Sequence, residues 1–242
     1  MTTLGSKQAV VIHHPYYTPL IGWTRQVLIP GALAQYHRLT DQTPPSPVPG
    51  EDLQLDFIAQ HGRYADVTSV LNGAEHLRTK NGDYYVAFAD NVDPTHLALR
   101  SLAALGSPAT PAVLAAPFDM TAAHTHGVIV CSGAGPVQTM VALVEKPGHE
   151  QAAQLAAKHG TGNLRLLQGR MRVTPQLSAH VAATARRTEG EPKLSLAVAA
   201  YARSHRVDVI THTTPLTDLG QPNRQEDANP HLEPSSAPPD QG

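Results

Sequence analysis

The chain has 242 residues, of which 41% are hydrophobic and 16% charged, and 18 Lys and Arg against 20 Asp and Glu give a formal net charge of -2. A chain of this length forms one large domain or two small ones. Its nearly balanced charge excludes a strongly basic coat that binds a nucleic-acid polymer.

The amino-terminal half alternates short apolar runs with amphipathic stretches. Residues 8–13 are an apolar, β-branched run, which predicts a buried strand. Residues 23–39 carry an apolar face and a proline suited to a first turn, which predicts a helix. Four prolines within residues 41–51 predict a surface loop. The pattern then predicts a strand at 53–58, a helix at 67–77, a strand at 84–89 and a helix at 96–105.

The carboxyl-terminal half continues the alternation. Small residues at 132–136 separate two apolar runs and predict a hairpin turn. Beyond residue 220, prolines and polar residues dominate, which predicts a disordered tail. The predicted elements are strands at 112–115, 127–131 and 138–144, a helix at 150–159, a strand at 164–173, helices at 175–187 and 193–204, and a strand at 207–213.

This order of elements predicts the fold class. Strands that alternate with helices are typical of α/β proteins with parallel sheets. We therefore expect a mixed, mainly parallel Rossmann-like sheet flanked by helices, with one antiparallel hairpin. A single domain over residues 1–220 and a disordered tail over residues 221–242 complete the prediction.

The sequence also indicates a compartment. Cys131 is the single cysteine, and its place in an apolar strand favours a packed thiol over a nucleophile. No signal-peptide pattern opens the chain, and every apolar stretch is interrupted before the ~20 residues that cross a bilayer. We expect a cytoplasmic protein that does not bind membranes.

Two carboxylates are candidates for a metal site. Asp90 follows the apolar run at 84–89, and ligand crevices of α/β sheets lie beyond the carboxyl ends of strands. Asp218 follows the last predicted strand after a short link. If both strand ends open on one crevice, the two side chains can share Mg²⁺, a cation that prefers oxygen ligands. From spacing alone, the simpler interpretation is an N-cap or turn at Asp90 and a turn at Asp218.

Glu145 and Lys146 form a second candidate site at the end of a predicted strand, before Pro147. An acceptor beside a point cation can hold a sugar hydroxyl and a phosphate together. The simpler interpretation is a surface ion pair, which contributes ~0–1 kcal/mol.

Taken in order, these segments resemble the bacterial sugar-1-phosphate nucleotidyltransferases, and most closely the UTP–glucose-1-phosphate uridylyltransferase group. The resemblance covers residues 8–220. The similar segments are Phe57-Ile58-Ala59-Gln60, Val86-Ala87-Phe88-Ala89-Asp90, His126-Gly127-Val128-Ile129, Leu143-Val144-Glu145-Lys146-Pro147, residues 163–175 with Gly169-Arg170, and Thr217-Asp218-Leu219-Gly220.

The resemblance implies a Rossmann-like nucleotidyltransferase fold and a reaction of UTP with glucose 1-phosphate that yields UDP-glucose and pyrophosphate. It implies a nucleoside triphosphate and a sugar 1-phosphate as partners, Mg²⁺ as cofactor, and possible homo-oligomers. The residue roles that it implies are uracil recognition by Gln60, sugar contact by Glu145, phosphate contact by Lys146, Mg²⁺ binding by Asp90 and Asp218, and closure over the sugar by the segment with Asn163 and Gly169.

The chain departs from the family pattern at two places. The family opens with a Gly-x-Gly-Thr-Arg loop that cradles the triphosphate, and no such loop precedes residue 8. The glycine-rich stretch after the base-reading glutamine is replaced at residues 65–68. We therefore expect this chain to turn over poorly. The alternatives are a catalytically inactive domain of this fold that binds a sugar nucleotide or a partner subunit, and an enzyme for thymine or another hexose.

Overall fold

The computed structural model describes residues 8–23, 54–77, 82–93, 97–214 and 216–218. The predicted loop at 41–51, most of the predicted helix at 23–39 and the predicted tail at 221–242 lie outside the described residues. Within those ranges, no helix combines the length and apolar character that a membrane crossing requires.

The described residues form ten strands. The strand predicted at 8–13 and the strand predicted at 164–173 are confirmed with the same bounds. The strands are β1 Gln8–His13, β2 Gln54–Ala59, β3 Tyr84–Ala87, β4 Asn91–Val92, β5 Ala112–Pro117, β6 Val128–Ser132, β7 Val137–Val144, β8 Leu164–Val173, β9 Asp208–Thr211 and β10 Thr217–Asp218.

Six α-helices accompany the strands in the described ranges. They are α1 Thr18–Trp23, α2 Asp66–His76, α3 Ala98–Ala104, α4 His149–His159, α5 Pro175–Arg187 and α6 Leu194–Ala202. The start of α5 illustrates the local causes. Thr174 caps the helix by accepting a hydrogen bond from the Leu177 N–H, and Pro175 occupies the first turn, where its missing N–H has no cost.

The main sheet has six strands in the order β3-β8-β5-β9-β7-β6, and the pairing of β6 with β8 closes five of them into a barrel. Among its described strands, β5 and β9 run parallel and the other neighbours run antiparallel. A mixed α/β fold and the β6–β7 hairpin are confirmed. The expectation of a mainly parallel sheet is wrong for this sheet, because side-chain periodicity does not encode the direction of a neighbouring strand.

Two smaller sheets lie outside the barrel strands. β1 and β2 pair in parallel over their full lengths. β4 and β10 form an antiparallel ribbon in which Thr217 lies opposite Val92 and Asp218 opposite Asn91. The sequence did not predict this β4–β10 ribbon, because two-residue strands are too short to show a hydrophobic period.

Three clusters of buried apolar residues hold the fold together. The largest joins one face of the main sheet to α2, α5 and α6, the second includes α4, and the third includes α3. Full burial of one such side chain contributes about 1.5–3 kcal/mol. Representative members are Val67, Ile129, Leu177, Leu194 and Val209 in the first cluster, Val128, Ala152 and Leu166 in the second, and Leu102, Leu114, Ile210 and Leu216 in the third.

Arg172 lies on β8 and is almost completely buried. Its guanidinium donates hydrogen bonds to the carbonyl groups of Leu102, Ser107 and Thr110. A buried guanidinium is tolerated only when its N–H groups find acceptors. These bonds therefore attach the end of α3 and the loop before β5 to the sheet.

We expect Arg172→Met to lower the free energy of unfolding by about 3 kcal/mol, because buried carbonyl groups lose charged donors. Arg203→Met, at an exposed position after α6, should change it by less than about 0.5 kcal/mol. Urea unfolding of both variants measures the difference, and equal stabilities would contradict this account.

Candidate functional site

Asp90 lies in the turn at residues 88–91, which connects β3 to β4 and is named here the Asp90 turn. The residue is exposed, and its Oδ1 accepts a hydrogen bond from the Asn91 side-chain amide at 3.0 Å. The Phe88 N–H donates to the Gly169 carbonyl of β8 at 2.9 Å, and the Gly169 N–H donates to Asn91 Oδ1 at 3.2 Å. The turn is thus attached to β8 on both sides of Asp90.

Arg170, on β8, also binds the Asp90 turn. Its guanidinium donates to the Phe88 carbonyl at 2.8 Å and also to the Asn91 carbonyl. Burial lowers the pKa of Arg170, and the nearby carboxylates of Asp93 and Asp90 raise it. The Asp90 turn is therefore fixed at both ends by one buried cation.

Asp218 is brought to the Asp90 turn by the β4–β10 ribbon, where it lies opposite Asn91. Residues that face each other in antiparallel strands have Cα atoms about 4.5–5.5 Å apart. The chain enters β10 at Leu216, whose N–H donates to Gln168 Oε1 at 3.1 Å. The backbone positions of residues 90 and 218 therefore lie together, although 128 positions separate them in the sequence.

Glu145 follows β7 and faces Gly127. Its Oε2 is buried without a hydrogen-bond partner among the described residues, and a Cβ added at Gly127 would lie 3.3 Å from that oxygen. A buried carboxylate oxygen without a donor is costly, and a hydroxyl or amide N–H would satisfy it. The side chain is thus suited to accept a hydrogen bond from a ligand.

β8 connects Glu145 to the Asp90 turn. The Leu167 N–H donates to the Gly127 carbonyl at 2.8 Å, and Gly169 contacts the Asp90 turn. Two residues of extended strand span about 7 Å. Glu145 and the Asp90 turn consequently contact neighbouring positions along one strand.

Lys146 is exposed and has a φ of 44°. It is the one non-glycine residue with positive φ in the part of the chain that the structure describes. A left-handed conformation costs an L-residue about 1–2 kcal/mol. Such backbone strain collects at binding and catalytic sites, and here it turns the chain sharply after Glu145.

Gln60 lies in the loop between β2 and α2, and its side-chain amide is engaged within that loop. It donates to the carbonyl groups of Arg63 and Ala65 at 3.3 and 3.2 Å and accepts from Ser69 Oγ at 2.9 Å. The amide therefore shapes its own loop in this structure, and a base contact would require these bonds to be exchanged.

Asp66 begins α2 close to Glu145. Its carboxylate accepts hydrogen bonds from the Leu194 N–H at 3.0 and 3.2 Å, which joins α2 to α6. Burial raises the pKa of the Asp66 carboxyl above its ordinary value, the hydrogen bonds lower it, and the charges of Glu191 and Glu145 raise it further. Sequence reasoning did not select Asp66, because an acid at a helix start is the usual N-terminal signal.

Asn163 is not brought to the other candidates. It is exposed in the turn before β8, where its side-chain amide donates to the His159 carbonyl at 2.9 Å. From Leu164 to Gly169 the strand extends about 16 Å. Asn163 and Gly169 therefore lie toward opposite ends of β8, and Gly169 alone contacts the Asp90 turn.

The site also contains three polar residues to which the family resemblance assigns no individual role, namely Asn91, Gln168 and Arg170. The sequence feature that could have identified two of them is the row of three polar side chains at alternate positions of β8, residues 168, 170 and 172. Alternation of this kind normally predicts a solvent-facing surface, and here the three side chains are buried.

A bound Mg²⁺ is compatible with these residues. The described residues contain no group of three or more His, Cys, Asp or Glu side chains placed to hold a metal. Mg²⁺ bound with a nucleotide needs fewer protein ligands, since one or two carboxylates act together with substrate phosphates. Asp90 and Asp218 are two residues of that type at neighbouring backbone positions.

The fold is shared with solved structures of known enzymes. A UDP-glucose pyrophosphorylase complexed with UDP-glucose matches with a TM-score of 0.70 and 17% identity, covering 95% of this chain and 81% of that chain. The UTP-bound UGPase from Acinetobacter baumannii matches with a TM-score of 0.67 and 16% identity, covering 95% of this chain and 78% of that chain. No protein-family model and no curated protein sequence matches the chain.

The chain has a sugar-nucleotidyltransferase fold. The TM-scores establish the shared fold. At 16% and 17% identity, the matches do not assign a reaction to this chain. Within this fold, Glu145 lies beside Gly127, which is hydrogen-bonded to Leu167 of β8, and the Asp90 turn contacts Gly169 of the same strand. The backbone of Asp218 lies opposite Asn91 of that turn.

We expect Gly169→Ala to destabilise the nucleotidyltransferase fold by about 1–3 kcal/mol. A Cβ there would lie 2.7 Å from Asn91 Oδ1 and 3.1 Å from the Phe88 Cβ. Gly148→Ala is the matched control, because a Cβ at Gly148 meets nothing within 4 Å. Thermal unfolding compares the two variants, and a Gly169→Ala variant as stable as the control would refute the close approach.

We expect Cys131 to be unreactive in the native protein. Burial raises the pKa of its thiol to about 11, against a smaller opposite effect of Arg165. The thiolate is the reactive form, so it is scarce at pH 8 and increases only as the pH approaches 11. Labelling with a thiol reagent at pH 8 should be slow in buffer and rapid in guanidinium chloride. Equal labelling rates would show an accessible thiol.

Proposed function

We propose that the chain is a sugar nucleotidyltransferase that converts UTP and glucose 1-phosphate into UDP-glucose and pyrophosphate. The observation that carries the proposal is the β4–β10 ribbon, in which Asp218 lies opposite the neighbour of Asp90. Solved pyrophosphorylases of this fold contain UDP-glucose or UTP. The proposed site therefore consists of the carboxylates of Asp90 and Asp218 and, next to them, the turn after β7 that carries Glu145 and Lys146.

In this reaction the protein mainly aligns the sugar phosphate with UTP and neutralises the charge of their phosphates. An oxygen of the sugar phosphate forms a bond to the α-phosphorus of UTP, and the bond from that phosphorus to the pyrophosphate oxygen breaks. We assign Asp90 and Asp218 to the binding of Mg²⁺, which when bound supplies positive charge to the phosphates. Positioning and electrostatic stabilisation of this kind are the main sources of catalysis in phosphoryl transfer.

The turn after β7 supplies the proposed sugar-phosphate contacts. The unpaired Oε2 of Glu145 is assigned to a sugar hydroxyl, because a hydroxyl donor removes the cost of the buried acceptor. The exposed ammonium of Lys146 is assigned to the sugar phosphate. Gln60 is assigned to the uracil edge, with exchange of its present hydrogen bonds to the loop.

The direct test measures pyrophosphate release from UTP and glucose 1-phosphate in the presence of Mg²⁺. Asp90→Asn should lower the rate at least about 100-fold, as expected for a group that acts in the transition state. Asp83→Asn is the matched control, because Asp83 is exposed at the opposite end of β3. Other nucleoside triphosphates and hexose phosphates assayed in parallel identify the base and the sugar.

Calorimetry with UDP-glucose separates the enzyme from the inactive binding domain. We expect UDP-glucose to bind only when Mg²⁺ is present. We also expect turnover by the unmodified chain that Asp90→Asn removes. Binding without turnover by any triphosphate would identify a binding domain. Absence of both binding and turnover would overturn the proposed function.

A further inference from the structure

The β4–β10 ribbon is attached to the main sheet by alternate residues of one strand. Side chains two positions apart on a strand point to the same face. Gln168 and Arg170 are such a pair on β8, and they are only 4% and 8% exposed. Their burial shows that their polar groups act within the protein.

Each of the two side chains holds a different half of the ribbon. Gln168 Oε1 accepts a hydrogen bond from the Leu216 N–H, directly before β10. Arg170 donates to the carbonyl groups of Phe88 and Asn91, at the two ends of the Asp90 turn that leads into β4. Gly169 lies between them and donates its N–H to Asn91 Oδ1.

We propose that Gln168 and Arg170 are positioning residues that set the relative placement of positions 90 and 218, and thereby the affinity of the site for a divalent cation. The inference rests on the proposed function, because it assumes that these two carboxylates bind the cation. Neither positioning residue touches the cation itself. Their effect passes through backbone carbonyl and N–H groups.

The geometry explains why two separate attachments are needed. A ribbon of two paired residues on each strand has little stability of its own. Leu216 packs in the cluster with Leu102 and Leu114, so the hydrogen bond that its N–H donates to Gln168 aligns β10 with a fixed part of the core. Arg170, which lies on β8, aligns the Asp90 turn with the main sheet through its hydrogen bonds to the Phe88 and Asn91 carbonyl groups. Partners that orient metal ligands in this manner typically change metal affinity 10–100-fold when they are replaced.

Arg172 provides a matched control on the same strand. It is also a buried arginine whose guanidinium donates to backbone carbonyl groups, but it holds Leu102, Ser107 and Thr110 instead of the ribbon. Arg172→Lys therefore removes similar structural support at a different place. A role that is only structural would give the same result at both arginines.

The experiment measures Mn²⁺ binding to the full chain by electron paramagnetic resonance, with UDP-glucose present and at a temperature below the unfolding transition of each variant that folds. We expect Arg170→Lys and Gln168→Met each to weaken Mn²⁺ binding at least about tenfold. Arg172→Lys should bind Mn²⁺ within about twofold of the unmodified chain while losing stability in urea. If Arg170→Lys does not fold, Gln168→Met, which keeps the length of the side chain and loses its acceptor, decides alone.

Asp90→Asn separates failure of this inference from failure of the proposed function. If Asp90→Asn weakens Mn²⁺ binding while Gln168→Met and Arg170→Lys do not, the positioning role is overturned and the cation site stands. If Arg172→Lys weakens binding as much as Arg170→Lys, the effect is general destabilisation and the inference is also overturned. If Asp90→Asn leaves Mn²⁺ binding unchanged, the proposed cation site fails, and the positioning role fails with it.

Discussion

Three polar side chains on one buried face of β8 have to find hydrogen-bond partners inside the protein. Gln168, Arg170 and Arg172 lie at alternate positions, and an unpaired guanidinium in such surroundings would cost several kcal/mol. Their partners are backbone groups of three separate segments: the entry to β10, the Asp90 turn, and the stretch from the end of α3 to the loop before β5. The need to satisfy these side chains therefore fixes where the three segments lie, and two of the segments carry the candidate carboxylates.

The same strand accounts for the chemistry that the site can support. Toward its middle, Leu167 contacts Gly127 beside the unpaired carboxylate oxygen of Glu145, and two residues later Gly169 contacts the Asp90 turn. In the proposed function, Glu145 accepts from the sugar, and Asp90 and Asp218 bind the cation, because both reacting phosphates must be held in line and their charge reduced. The strained backbone of Lys146 fits the same interpretation.

Local sequence patterns predicted the individual elements better than their arrangement. The strand bounds of β1 and β8 and the helix bounds of α5 follow from apolar periodicity and capping, and the β6–β7 hairpin follows from its turn residues. Strand direction in the barrel could not be predicted, since periodicity reports which face is buried and not which neighbour is paired. The ribbon was too short to show a pattern, and alternating polar residues at 168, 170 and 172 would ordinarily indicate solvent. The placement of Asp90, Glu145, Lys146 and Asp218 at strand ends suggested their roles but fitted turns and an ion pair as well, and the family resemblance favoured the functional roles.

The central claim is that Asp90 in its turn and Asp218 on the β4–β10 ribbon form one cation site, held in place by β8. Anomalous diffraction from crystals grown with Mn²⁺ and UDP-glucose tests it most directly, because Mn²⁺ substitutes for Mg²⁺ at oxygen ligands and is located by its own scattering. The account predicts an anomalous peak that contacts the carboxylates of both Asp90 and Asp218. A peak that contacts neither residue, or only one of them, would contradict it.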